Sequence, residues 1–191
     1  MEDFVFWSVS DDQGETWSAM TPVACAWGPH VEASAPLTVL DDGTWATPIT
    51  GFPTWEGTMT GSMCGRLLRS EDEGKTWSRP ISTGVRGQAS SVCALGGDRL
   101  LALHAVRRDT ERPGIYGYVV DFSHRTWEIQ DKMLIWEPKT PVLRDDKMEE
   151  VFAYLKFGQP GAIRTRDGRI LMSRWYAQDG QYKTVCTRIE I

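Results

Sequence analysis

The sequence predicts an all-β chain that forms part of a β-propeller, about three to four blades of four antiparallel strands each, and three observations carry that expectation. The pattern S-x-D-x-G-x-T-W occurs twice, at Ser10-Asp11-Asp12-Gln13-Gly14-Glu15-Thr16-Trp17 and at Ser70-Glu71-Asp72-Glu73-Gly74-Lys75-Thr76-Trp77. Each copy has the chemistry of a tight turn between strands. Short Ser and Asp side chains bond nearby backbone N–H groups, Gly is free to take positive φ, and Trp anchors the turn under the next strand. A degenerate third copy, Asp121-Phe122-Ser123-His124-Arg125-Thr126-Trp127, keeps Thr-Trp, and the closing tryptophans Trp17, Trp77 and Trp127 stand 60 and 50 residues apart. That interval is the length of a four-stranded blade. Finally, 18 Gly and 10 Pro in 191 residues punctuate short β-branched and aromatic runs, the composition of a turn-rich chain.

Taken in order, Phe4 to Val9 is an apolar run entering the first octapeptide, so the chain is expected to begin inside a structural unit, with residues 1–23 the end of a blade. Residues 24–84 read as a blade. His30 and Glu32 lie in a loop, Ala35 to Leu40 forms an inner strand, Asp41-Asp42-Gly43 a hairpin turn and Thr44 to Thr50 its partner. A glycine-rich loop from Gly51 to Gly61 carries Trp55 and leads to Cys64–Arg69, the second octapeptide and an outer strand near Arg79–Thr83. Residues 85–138 repeat the order with Ser90–Leu95, Arg99–Val106, Gly114–Val120 and Glu128–Ile135. Residues 139–191 form a last, incomplete blade with Gly161–Thr165, Arg169–Tyr176 and Tyr182–Ile189. Asp146 to Lys156 suits a short helix, although Val151 to Leu155 also suits a strand, and the strand ending at Ile191 reads as a natural C-terminus.

Composition narrows the function. A formal net charge of −5, with no run of basic residues, argues against nucleic acid or an anionic membrane as partner. No stretch approaches membrane-spanning length and no signal peptide is visible, so a cytoplasmic location is expected, with the true N-terminus left open. Cys25, Cys64, Cys93 and Cys186 show no CxxC or Cys/His spacing, so no metal or other cofactor is expected, and reduced strand cysteines are favoured over disulfides. Nine tryptophans exceed what three turns require and suit stacking on sugar rings.

The octapeptides resemble the Asp-box, or bacterial neuraminidase repeat, of sialidases and related propellers. From about Arg66 onward the order of short motifs resembles the C-terminal half of sialidase-superfamily proteins: Leu67-Leu68-Arg69-Ser70 at the box, Arg86-Gly87-Gln88, Arg107-Arg108 followed by Arg112-Pro113-Gly114-Ile115, Gly158-Gln159-Pro160, and Arg166-Asp167-Gly168-Arg169-Ile170-Leu171. The resemblance implies part of a propeller of the six-bladed type. Gln88 stands where that pattern tends to have histidine and Gln159 where it has tyrosine, so each replaces an acid–base or nucleophilic group with one that only hydrogen-bonds.

Sialidases hold a substrate carboxylate with arginines, whose planar fork pairs with it bidentately, and displace the leaving group with a tyrosine activated by a glutamate. By placement along the chain the catalytic candidates are Glu32, the best placed acid, and Tyr176, near the last blade, while no tyrosine stands in a context that resembles the sialidase nucleophile. The substrate-binding candidates are Arg86, Gln88, Arg107, Arg108, Gln159, Trp55 and His30. The implied function is a sialidase-like glycoside hydrolase acting on a glycan or acidic sugar, with activity of this stretch alone left open. The alternative is a non-catalytic glycan- or protein-binding propeller module. Because so short an arc cannot close a ring, the expected partners are a carbohydrate ligand and either a second copy or a complementary N-terminal propeller chain.

Overall fold

The computed structural model describes residues 5–24, 31–33, 35–51, 64–107, 110–139 and 156–191, and every regular element among them is a β-strand. The chain folds sheet by sheet in sequence order. A short pair comes first, β1 (Phe6–Trp7) with β2 (Thr21–Pro22). In the second sheet β3 (Val31–Glu32) and β4 (Thr38–Val39) both run along β5 (Trp45–Gly51), which pairs with β6 (Cys64–Ser70) and then β7 (Ile81–Arg86). The third sheet is a four-stranded meander of β8 (Gln88–Gly96), β9 (Arg99–Val106), β10 (Gly114–Asp121) and β11 (Glu128–Trp136). The fourth has β12 (Phe157–Arg164), β13 (Ile170–Gln178) and β14 (Gln181–Ile189). All pairings are antiparallel.

Packing follows from the period of two along each strand. On β9, Leu100, Ala102 and Val106 point into a cluster with Ala46, Leu67 and Val85 of the second sheet. The alternate residues Leu101, Leu103 and Ala105 point into another cluster with Phe157, Ile170 and Met172 of the fourth sheet. The third sheet is therefore covered on both faces, and its central strand reads as a continuous apolar run rather than an alternating one. A further cluster joins Val23, which follows β2, with Val5 and Trp7 against it, to Val31, Ile49 and Leu68 of the second sheet. Face-to-face antiparallel sheets following one another in chain order are consistent with a partial β-propeller.

The two octapeptides fold alike. Ser10 Oγ accepts from the Gly14 N–H (2.7 Å) and Ser70 Oγ from the Gly74 N–H (2.8 Å). The Asp12 carboxylate accepts from the Thr16 N–H (2.9 Å) and Oγ1–H (2.5 Å), as Asp72 does from Thr76 (2.8 and 2.6 Å). Those Thr hydrogen bonds, with the Ser hydroxyl next, hold both carboxyls down at about 2. The residue before each glycine, Gln13 or Glu73, also has positive φ, so each turn places two left-handed residues in succession. The degenerate copy differs: lacking glycine, it has one left-handed residue, Arg125, and Asp121 accepts from the Ser123 N–H at 2.9 Å.

The strand expectations place the elements correctly and misplace several ends. The inner strand expected at Ala35–Leu40 is split, because Pro36 has no N–H to donate to the ladder; only Thr38–Val39 pairs there, while Val31–Glu32 pairs further along β5. Glu32 is thus a strand residue opposite Thr50, not a loop residue. β12 begins at Phe157 rather than Gly161. The helix-or-strand alternative over Asp146 to Lys156 lies, apart from Lys156, outside the described residues.

Candidate functional site

Strand polarity sorts the candidate residues. The octapeptide turns follow β1 and β6 and the third copy follows β10, so these lie at one end of the sheets. β7 ends at Arg86, β8 starts at Gln88, β9 runs into Arg107 and β12 starts at Phe157, all at the opposite end.

Arg86-Gly87-Gln88 crosses from the second sheet to the third with a single residue between strands. Gly87 makes a close approach there: a Cβ would crowd the Ala105 carbonyl oxygen at 3.2 Å and Val106 Cγ2 at 3.1 Å, and those neighbours would have to give way. The crossing is also tied from beneath by His104, whose ring N–H donates to the Gly87 carbonyl. Arg107 continues β9 across to the fourth sheet. Its Nε donates to the Phe157 carbonyl at 2.8 Å and its guanidinium lies 5.6 Å from the Phe157 ring centroid. Gly158 leaves room for that guanidinium, since a Cβ would fall on it.

Gln159 follows on a β-bulge. Gly158 pairs with Trp175 and Gly161 with Ser173, so Gln159 and Pro160 together oppose Arg174, and Gln159 takes φ +45. The bulge turns Gln159 outward, where it is exposed, while Pro160 is buried. The signal for it was in the sequence: a proline within a strand flanked by glycines marks a bulge.

The structure gathers Arg86, the Gln88 backbone, Arg107 and Gln159 around the ends of β7, β8, β9 and β12. The two catalytic candidates stand on different sheets. Glu32 is on β3 in the second sheet and Tyr176 on β13 in the fourth, and the third sheet packs between, with β8 against both β5 and β12. Tyr176 packs 5.6 Å from Trp136, beside the cluster that includes Phe157 and Met172. Arg108, Trp55 and His30 lie outside the described residues. Among the described residues no group of three or more His, Cys, Asp or Glu could hold a metal ion, and no helix is long and apolar enough to cross a membrane. Guanidiniums and amides are the groups that hydrogen-bond oxyanions and hydroxyls.

Sequence reading missed Arg174. Ile170, Met172, Arg174 and Tyr176 occupy alternate positions on β13, three of them packed in one cluster, and a cation on that apolar stripe was the available signal.

No protein-family model and no curated protein sequence matches the chain. Solved structures do. A protein of unknown function from Dyadobacter fermentans is similar over 96% of this chain and 44% of its own, at TM-score 0.62 and 21% identity. The K499G mutant of the NanB sialidase from Streptococcus pneumoniae is similar over 98% of this chain and 26% of its own, at TM-score 0.56 and 14% identity. The Hadza microbial sialidase Hz136 is similar over 96% and 34%, at TM-score 0.52 and 18% identity. The chain therefore has a sialidase-like fold and spans less than half the length of these proteins.

Proposed function

We propose that the chain is a carbohydrate-active protein of sialidase-like type that holds an acidic glycan at the end of the sheets where Arg86, Arg107 and Gln159 meet. In this reading the chain binds the glycan rather than cleaving it. The observation that carries the reading is the bulged Gln159 beside the anchored Arg107: an exposed hydrogen-bonding amide next to a positioned guanidinium, at the position where the resembling pattern has tyrosine. Such a pair recognises a carboxylate and neighbouring hydroxyls without supplying a nucleophile. Glycan arrays and aryl glycosides screened in parallel test it. Retention of sialylated or uronate-bearing glycans without turnover, lost in Arg107→Gln, is the expected result. Turnover would instead assign hydrolysis, with Glu32 and Tyr176 the residues to replace, and absence of any glycan binding would overturn the reading.

The partner follows from the outer sheets. Trp77 and Trp127 pack against clusters that join neighbouring sheets, whereas the equivalent Trp17 is 63% exposed alongside Phe6 and Met20. On the fourth sheet Ile163 and Leu171 are exposed as well. We propose that a second copy of the chain covers these faces. Light scattering should show a dimer that Trp17→Glu dissociates; a monodisperse monomer at micromolar concentration would exclude the second copy and leave a complementary N-terminal propeller chain as the partner to seek.

A further inference from the structure

A cleft of about 900 Å³ opens between the third and fourth sheets, lined among others by Trp136, Lys139, Lys156, Arg174, Tyr176 and Tyr182. Its floor is Arg174. That side chain is 8% exposed, and no carboxylate among the described residues pairs with it. Its Nη1 donates to Thr187 Oγ1 at 2.7 Å, its guanidinium lies 4.9 Å from the Trp136 ring centroid, and its buried Nε has no partner. A guanidinium carries five N–H donors; here one is spent on Thr187 and the buried Nε–H has no partner, so an anion entering the cleft would meet donors still available. Burial, the larger influence here, pushes Arg174 below the usual guanidinium range.

We infer that this cleft is a binding site for a small ring-bearing carboxylate such as a hexuronate, its carboxylate meeting Arg174 and its ring lying along the aromatic wall. The site is separate from the one proposed at Arg86, Arg107 and Gln159, and does not depend on it. Charge favours an anion: Lys139 and Lys156 stand at the rim with Asp179 as the one opposing acid among the described lining residues, in a chain that is acidic overall. Size agrees, since a volume of this order holds a mono- or disaccharide. The wall is preformed. Trp136 is fixed by Phe157 at 5.3 Å and Tyr176 at 5.6 Å, so little ordering is lost on binding. The bulge that exposes Gln159 lies directly opposite Arg174 in the β12–β13 ladder, so the strand irregularity that shapes one site also borders the other.

The test is titration of the full chain with glucuronate, and with glucose as the neutral control, read by tryptophan fluorescence and calorimetry. The expected result is saturable binding of glucuronate and none of glucose. Arg174→Gln should weaken glucuronate about tenfold or more, and Arg174→Lys less. The exposed double variant Lys139→Ala/Lys156→Ala, which leaves the buried wall intact, should weaken it several-fold and reduce its salt dependence. Equal response to glucose and glucuronate, or glucuronate binding unchanged in both Arg174→Gln and the double-lysine variant, overturns the inference. So does binding lost in Arg107→Gln but kept in Arg174→Gln, which would put the carboxylate at the other site. If Arg174→Gln fails to fold, the double-lysine variant decides alone.

Discussion

Gly74→Ala is expected to destabilise the fold by about 2–5 kcal/mol, while the same change at Gly14, its counterpart in the first octapeptide, costs only about 1–2 kcal/mol. Both glycines are left-handed, at φ +83 and +93, so both substitutions carry the backbone penalty. They differ in what a methyl group would strike. At Gly14 the nearest atom is Trp17 Cζ2 at 3.9 Å, ordinary contact. At Gly74 a Cβ would sit 2.7 Å from Trp7 Cε2 and 3.0 Å from Trp45 Cζ3, between two indoles whose rings meet edge to face 5.1 Å apart. The alanine therefore has to displace Trp7, which joins the first strand pair to the second sheet. Urea unfolding of the two variants checks this. Equal costs would mean that the indole pair yields freely and that the first strands contribute little to the fold.

That contrast shows how far the sequence could be read. The two octapeptides predicted identical turns, and the hydrogen bonds from Gly14 to Ser10 and from Gly74 to Ser70 agree within 0.1 Å, because every atom that makes them belongs to the motif. What surrounds each turn depends on residues far away in sequence, so nothing in the motif distinguishes a glycine under Trp7 from one open to solvent. The same division holds at the site. Arg86-Gly87-Gln88 and Gly158-Gln159-Pro160 stood out as short motifs, and the structure shows that a Cβ at Gly87 would crowd Val106 and one at Gly158 would displace the Arg107 guanidinium. Arg174 did not stand out, because one cation in an alternating strand has no local pattern. That no carboxylate among the described residues pairs with it becomes visible only once β11, β13 and β14 are together. Tyr176 was chosen for its chemistry, and its position is explained by packing on Trp136.

Acid should unfold the protein earlier than its carboxylates dictate, and His104 is the reason. Its ring is buried and lies edge to face with Tyr118 at 5.3 Å, one nitrogen bonded to the Gly87 carbonyl and Nδ1 without a partner among the described residues. Burial, against the opposing hydrogen bond to Gly87, brings its pKa down from 6.5 to about 4. A neutral folded histidine that protonates readily once unfolded means that the unfolded chain binds more protons. Stability is then complete above pH 6.5 and is lost as pH falls toward about 4. A separation of about 2.5 units corresponds to about 3 kcal/mol, a large share of a domain's stability. Asp12 and Asp72, held near 2 against an ordinary 3.8, lose their contribution only below that window, so the two effects separate on the pH axis. The measurement is urea unfolding at half-unit steps from pH 7.5 to 3.5, for the native chain and for His104→Gln, which retains a donor for the Gly87 carbonyl. A slope between pH 6.5 and 4 that is present in the native chain and flat in the variant is the expected result. Since the same histidine ties down the Arg86-Gly87-Gln88 crossing, glycan binding at that end should weaken in parallel as the ring takes up its proton; matching slopes in both proteins would show that His104 stays neutral for another reason and that the crossing does not depend on it.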